Sequence, residues 1–366
     1  MSDVLEVKHL SVSFFTRQGE VQAVRNVSFS LKKGEILALV GESGCGKSAL
    51  CRSIMKLLPA SAKQKSGQIL LEEEDITGYP ERKMCTLRGS RFSMVFQDPM
   101  TALDPAMTIG DQIAEAVKQQ KADQKQRLSR EQVYHRVEEL MELVGIDYPA
   151  ERSRQYPHQF SGGMRQRAVL AVALAGNPEI IFADEPTTAL DVTVQAQILD
   201  LFRDIQKKLG TSIVFVTHDL GAVAHVADRV AVMYAGKIVE IGTADEIFYD
   251  PRHPYTKGLM RALPAASIGK DALYTIPGMP PTLIDPPKGD AFACRNEQAL
   301  AIDYEEEPPM FRISDTHFAA SWMLDARAQQ SVRHSPEETT SVSVHPRCML
   351  PENAEILLDV RHLSQV

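Results

Sequence analysis

"GESGCGKS" (Gly41–Ser48) decides how this chain is read. It fits G-x-x-x-x-G-K-[ST], a glycine loop whose backbone N–H groups converge on the α- and β-phosphates of a nucleotide. In that pattern Lys47 reaches the β/γ oxygens and the Ser48 hydroxyl meets Mg²⁺. Gly41, Ser43, Gly44, Cys45, Gly46 and Ala49 complete the cradle. Cys45 contributes through its N–H, not through a reactive thiol. So short a pattern also arises by chance. Here the apolar run "GEILALVG" precedes it and "SALCRSIMKLL", with helix spacing, follows it as far as Pro59. Strand, loop and helix in that order are the context that phosphate binding requires.

Upstream, residues 4–40 alternate polar and apolar, as half-buried antiparallel strands do. Downstream, "RFSMVFQDP" (Arg91–Pro99) reads as a strand. The polar, helix-spaced stretch after it reads as a helical subdomain inserted at about 98–165. Then "MRQRAVLAVALAG" and "VQAQILDLFRDIQKKLG" alternate as helices with the strands "EIIFADE", "SIVFVTHD" and the pair "VAVMYAGKIVEIG". That alternation predicts a parallel sheet with helices on both faces. Residues 251–325 are proline-rich and read as a separate small appendage, and 326–355 have linker composition. Leu5–Ser11, "LEVKHLS", recurs as "LDVRHLS" at Leu358–Ser364 with every charge sign kept. Either a chance amphipathic strand or the first strand of a truncated second domain at 356–366 explains it.

Composition narrows the class. Of the 366 residues, 44% are hydrophobic and 24% charged, as in ordinary globular proteins. A net charge of −8 argues against a nucleic-acid partner. No run approaches the roughly 20 apolar residues of a bilayer span, and "MSDVLEVKHL" has no apolar signal region. The cysteines at 45, 51, 85, 294 and 348 form no CxxC pair, which fits a reduced, cytosolic setting.

The chemistry-bearing residues fall at strand ends. "IIFADE" puts Asp184 and Glu185 at the end of a buried strand. Asp184 there holds Mg²⁺, generally through water, and Glu185 polarises the attacking water as general base. A helix cap is the other use for such an acid, and it suits Asp191 better. His218 ends "SIVFVTH" and could hydrogen-bond a γ-phosphate, although a lone histidine is more often structural. Gln97, after "SMVF", could ligate Mg²⁺ and orient water, or simply close a sheet edge. "FSGGMRQR" (Phe160–Arg167) opens a helix with a hydroxyl residue and bare glycine amides. Such an end binds anions, so it is a second phosphate site far from the first.

Taken together in this order, these motifs resemble the nucleotide-binding subunits of ABC transporters. The resemblance covers about residues 4–325. It implies an α/β fold: a P-loop NTPase (RecA-like) core in a domain of residues 1–250, with an N-terminal antiparallel β-subdomain, the inserted helical subdomain and a small C-terminal extension. It makes "FSGGMRQR" the signature loop, with Phe160 and Met164 where Leu and Gln are commoner. It makes "TALD" (Thr188–Asp191) the D-loop, His218 the switch histidine, and Phe14 the aromatic that stacks on adenine, with Phe15 as the alternative. It implies ATP hydrolysis with Mg²⁺ in a head-to-tail pair of such subunits, identical or paralogous. Ser161, Gly162, Gly163 and Asp191 then act at the partner's nucleotide, and closure is a ligand-biased switch.

"FQDPMTALDPAMTIGDQI", "DPRHPYTKGLMRALP" and "IPGMPPTLIDPPKGDAFACRN" narrow the resemblance to oligopeptide, dipeptide and nickel importer ATPases, most like the oligopeptide type. The partners implied are two transmembrane permease subunits and, indirectly, an extracellular peptide-binding protein. The implied location is the cytoplasmic face of the membrane. Many members bind an iron–sulfur cluster through four cysteines. The equivalent positions here are Asp290, Asn296, Asp303 and Ser321, with Cys294 off-position and Cys348 alone in the linker, so no cluster is expected. A non-transport ATPase of the superfamily would carry two full domains or long coiled coils. A non-hydrolysing partner would carry damaged motifs.

Overall fold

The computed structural model describes residues 3–123, 128–188, 190–263 and 274–328. The chain begins with β1 (Asp3–Thr16), β2 (Gly19–Lys32) and β3 (Ile36–Val40), followed by α1 (Lys47–Ile54), β4 (Ala62–Leu71), β5 (Glu74–Asp75) and α2 (Glu81–Leu87). Next come β6 (Phe92–Val95), α3 (Pro99–Ala102), α4 (Ile109–Asp123), α5 (Arg130–Leu143), α6 (Pro149–Arg152), α7 (Gly162–Leu174) and β7 (Ile180–Asp184). They lead to α8 (Val192–Leu209), β8 (Ser212–Thr217), α9 (Leu220–Val226), β9 (Arg229–Tyr234) and β10 (Lys237–Thr243). Last are α10 (Ala244–Tyr249), α11 (Pro254–Arg261), β11 (Phe311–Arg312) and β12 (Phe318–Ala319).

Two sheets form among the described residues: a smaller one ordered β2-β1-β4-β5 and a larger one ordered β11-β12-β10-β9-β3-β8-β7-β6. The first is antiparallel throughout. The alternation of β1 is broken where the register slips between Val7 and Leu10, around His9 at φ 50°. In the second sheet β9, β3, β8, β7 and β6 run parallel, and every residue of β3, β7 and β8 is buried. Strands buried on both faces read as continuous apolar runs, which is why "ILALV" and "IIFA" do not alternate.

Successive β3 residues divide between the layers. Leu37 and Leu39 join the cluster under the small sheet and α1, whereas Ile36 packs with α7, α8 and the inserted helices. Thus helices cover one face, but the other is covered largely by the antiparallel sheet, not by helices as the alternation suggested. The apolar side of β1 and β2 needed burial and found it there.

Three further details depart from the sequence reading. The helix after the phosphate loop ends at Ile54, not at Pro59, because Lys56 turns the chain at φ 52°. Strand β4, in the polar stretch "AKQKSGQILL", was not foreseen. It pairs with β1. The appendage also does not stand apart. β12 adds antiparallel to β10, and the described residues up to Asp325 form one compact unit. The repeat at 358–364 and Cys348 lie outside the described residues. No helix of the described residues is long and apolar enough to cross a membrane.

Candidate functional site

The phosphate loop bridges β3 and α1. A Cβ on Gly46, at φ 105°, would lie 2.1 Å from Ala23 O, and one on Gly41 would lie 2.1 Å from Met233 O. Neither position tolerates a side chain, since real Cβ atoms do not approach a carbonyl so closely. Lys47 is buried, and its Nζ donates to Gly41 O (2.7 Å) and Glu42 O (3.0 Å). Ser43 and Gly44 are exposed at the loop's tip. Cys45 is buried, and burial pushes its thiol up, which suits no nucleophile.

Below the loop, Ser48 Oγ donates to Asp184 Oδ1 at 2.7 Å, closing the gap between α1 and the end of β7. Asp184 is 1% exposed, its Oδ2 accepts no hydrogen bond among the described residues, and Arg52 Nη2 lies 3.7 Å away. Burial holds its carboxyl above the usual range. A buried carboxylate oxygen without a donor, beside a serine hydroxyl, is an all-oxygen donor set that fits Mg²⁺.

At Glu185 the chain turns at φ 46°, left-handed for a residue that is not glycine. Such a backbone costs about 1–3 kcal/mol and clusters at functional sites. Its N–H still donates to Val216 O (2.9 Å), which anchors the turn to β8. The side chain meets three others. Gln97 Nε2 donates to Glu185 Oε2 at 3.1 Å, and Thr188 Oγ1 donates to the same oxygen at 3.0 Å. His218 Nδ1 lies 3.4 Å from Oε1. Gln97, Glu185 and His218 follow the ends of β6, β7 and β8, adjacent strands at whose C-terminal edge α/β sheets bind ligands.

The glycine pair sits elsewhere. Ser161 caps α7 and its Oγ accepts from Met164 N (3.3 Å). Ser161 and Gly162 are exposed. A Cβ on Gly163 would lie 2.5 Å from Val194 Cγ1, so glycine here is what lets the starts of α7 and α8 touch. Asp191 caps α8, accepting from Val194 N at 3.0 Å, the use its sequence context favoured. No hydrogen bond among the described residues joins Ser161–Gly163 or Asp191 to Gly41–Ser48.

Phe14 and Phe15 part by strand alternation. Phe14 is half-buried against the core cluster that lies under the small sheet and includes Cys45. Phe15 is 42% exposed, with Lys63 and Lys65 over its ring at 5.8 and 5.4 Å. Only Phe14 is therefore turned toward the core.

Some contacts had no signal in the sequence. Gln195 Nε2 donates to Asp219 Oδ2 at 2.6 Å, tying the first turns of α8 to the residue after His218. Glu42 pairs with Arg295, 253 positions away. The four positions aligned with cluster cysteines are spent on local turns. Asp290 accepts from Phe292 N, Asn296 from Gln298 N, Asp303 from Leu300 N and Ser321 from Met323 N. Carboxylates, an amide and a hydroxyl do not fit an iron–sulfur cluster, which takes thiolates.

Known proteins share both parts of this arrangement. Residues 24–188 match the family "ABC transporter", and 239–302 match "Oligopeptide/dipeptide transporter, C-terminal region". The oligopeptide transport ATP-binding protein OppD of Bacillus subtilis is 58% identical over 88% of this chain and 89% of its own. The dipeptide transport ATP-binding protein DppD of Lactococcus lactis is 54% identical over 89% and 92%. Among solved structures, the dimeric post-hydrolysis ATP-binding cassette MJ0796 with ADP and Pi superposes with a TM-score of 0.59. It is 25% identical, over 66% of this chain and 98% of its own. With the P-loop core, the acidic pair and the C-terminal region on one chain, the protein belongs to the ATP-hydrolysing subunits of the oligopeptide/dipeptide ABC transporters.

Proposed function

We propose that this chain hydrolyses ATP to drive uptake of oligopeptides through a membrane permease, working from the cytoplasmic face. The observation that carries this reading is the meeting of Gln97, Glu185 and His218 beside the Ser48–Asp184 pair. Phe14 stacks on adenine while Gly41–Ala49 enclose the phosphates. Ser48, Asp184 and Gln97 would hold Mg²⁺, whose charge would offset that of the phosphates. Glu185 takes the proton of the attacking water, and His218 bonds the γ-phosphate. Glu185 is already oriented for this by two donors on one of its oxygens.

The exposed α7 N-terminus, with no tie to its own phosphate loop, supports a head-to-tail pair in which Ser161–Gly163 and Asp191 act at the partner subunit's ATP. The partner is a second such subunit, identical or paralogous. Two permease subunits and, indirectly, an extracellular peptide-binding protein complete the complex, with no nucleic acid and no iron–sulfur cluster. A cavity of about 310 Å³ between the core and the inserted helices, lined by Met94, Phe96, Leu103, Gln112 and Val172, supports docking of a permease segment next to Gln97. Residues 1–250 serve as the nucleotide-binding domain, and 251–325 as an extension packed onto it in one compact unit. A dipeptide cargo is the second reading, favoured by the name of the 54% identical relative.

The test is uptake of labelled oligopeptides, dipeptides and nickel in cells lacking the gene, complemented with wild type or Lys47→Ala. Loss of oligopeptide uptake alone, restored only by wild type, supports the proposal. Loss of dipeptide uptake alone replaces it with the second reading, and three unaffected cargoes overturn both.

A further inference from the structure

Glu42 occupies a position in the phosphate loop where the motif accepts any residue, yet the fold grips it from three sides. Its carboxylate meets Arg295 in a two-pronged pair, Nη1 donating to Oε2 at 2.9 Å and Nη2 to Oε1 at 3.1 Å. Its N–H donates to Tyr255 Oη at 2.9 Å. Its carbonyl accepts from the Lys47 ammonium at 3.0 Å. Arg295 is itself buried and immobilised. Its Nε donates to Pro277 O (2.8 Å) and its Nη1 to Tyr234 Oη (3.2 Å). The rings of Tyr234 and Phe292 lie 5.7 and 5.8 Å from the guanidinium.

Arg295 and Tyr255 both belong to the C-terminal extension, Tyr255 on α11. We propose that this extension sets the position of the phosphate loop, with Arg295 as a positioning residue for ATP that acts through Glu42. The proposal rests on reading Gly41–Ser48 as the ATP cradle. Most exposed ion pairs contribute little, because both side chains must be ordered to form them. Here the fork of Arg295 is ordered in advance by Pro277, Tyr234 and Phe292, so its grip on Glu42 costs little entropy and both prongs hold. Glu42 O shares the Lys47 ammonium with Gly41 O, so a shift of Glu42 moves the lysine that must meet the phosphates. A lysine at 295 would keep the charge and lose the fork.

The experiment is equilibrium titration of the full chain with a fluorescent ATP analogue and Mg²⁺. It compares wild type, Arg295→Gln, Arg295→Lys, Glu42→Gln and the double variant Glu42→Gln/Arg295→Gln, each checked for folding by circular dichroism. Each Gln variant is expected to raise Kd about tenfold, the scale of one charge-assisted pair. Arg295→Lys falls between, and the double variant binds no worse than either single. In the assembled transporter KM for ATP rises while kcat at saturating ATP is kept, a split that general loss of folded protein does not produce. An unchanged Kd in folded Arg295→Gln, or additive losses in the double variant, overturns the proposal. Should Arg295→Gln not fold, Glu42→Gln decides at its partly exposed position, where wild-type affinity refutes the link. A wild-type chain that bound no ATP would overturn the reading of the loop itself, and the proposal with it.

Discussion

Replacing Asp290 by Asn should make the protein more stable at alkaline pH and leave it nearly unchanged in acid. Asp290 is buried, and burial, with Asp303 and Glu307 nearby, pushes its carboxyl up from 3.8 to about 6, against the opposing pull of Phe292 N–H and Lys237. Because the folded state holds the proton more tightly than the unfolded one, the carboxyl costs nothing at low pH. Stability then falls as pH rises from 3.8 through 6. A shift of about two units corresponds to about 3 kcal/mol at pH 8, and roughly half of that is already lost at pH 5. Asn is never ionised, and its Oδ1 can still accept from Phe292 N, 2.9 Å away in the native turn. Thermal melts of wild type and Asp290→Asn at pH 8, 5 and 4 read the difference. For a unit of this size about 3 kcal/mol is about 4 °C in Tm. A gain at pH 8 that halves by pH 5 is expected. Equal melting at pH 8, or a loss there, refutes the argument that this carboxylate is held against its solvation.

Glu185→Gln should leave ATP affinity intact, lower hydrolysis by about 10²–10⁴-fold and trap a closed pair, seen as an ATP-dependent dimer by size exclusion; normal turnover would sink its role as base. Ser161→Arg should leave this chain's own ATP affinity unchanged while abolishing turnover at the partner's site, and a large loss of intrinsic affinity would mean that the loop serves its own nucleotide. Its lost cap should cost about 1 kcal/mol by urea titration. Gly163→Ala drives a methyl into Val194 Cγ1, so about 1–3 kcal/mol of stability should go with it. Adding Val194→Ala should restore part of that loss, and an unaltered unfolding midpoint for Gly163→Ala alone would show that the two helices have room.

Much of the site could be read from residues in a row. The cradle of Gly41–Ser48 depends on local backbone freedom and on a strand before it and a helix after it, all within one short stretch. The buried strands announced themselves because a parallel strand covered on both faces must be apolar throughout. The acidic pair and His218 followed, since the ends of those strands are where the sheet exposes polar groups to a ligand. The polar stretch of β4 escaped because its first residues are polar on both faces, and only pairing with β1 and β5 makes it a strand. The layer opposite the helices escaped because a four-stranded antiparallel sheet and a set of amphipathic helices bury the same kind of surface.

Other features exist only once the chain is folded. Glu185 turns toward Gln97 because a left-handed backbone, held by Val216 O, carries it there; no residue type encodes that direction. Phe14 and Phe15 are equal as letters and separate only when β1 presents one to the core and the other to lysines. The grip of Arg295 on Glu42 spans 253 positions, and its geometry comes from α11, Tyr234 and the turns around Pro277. Local sequence determines which backbone can cradle a phosphate and which strands must be buried, since both depend on a few neighbouring residues. Which distant side chains hold that cradle still depends on how whole layers pack, and that is decided by burial summed over the entire chain.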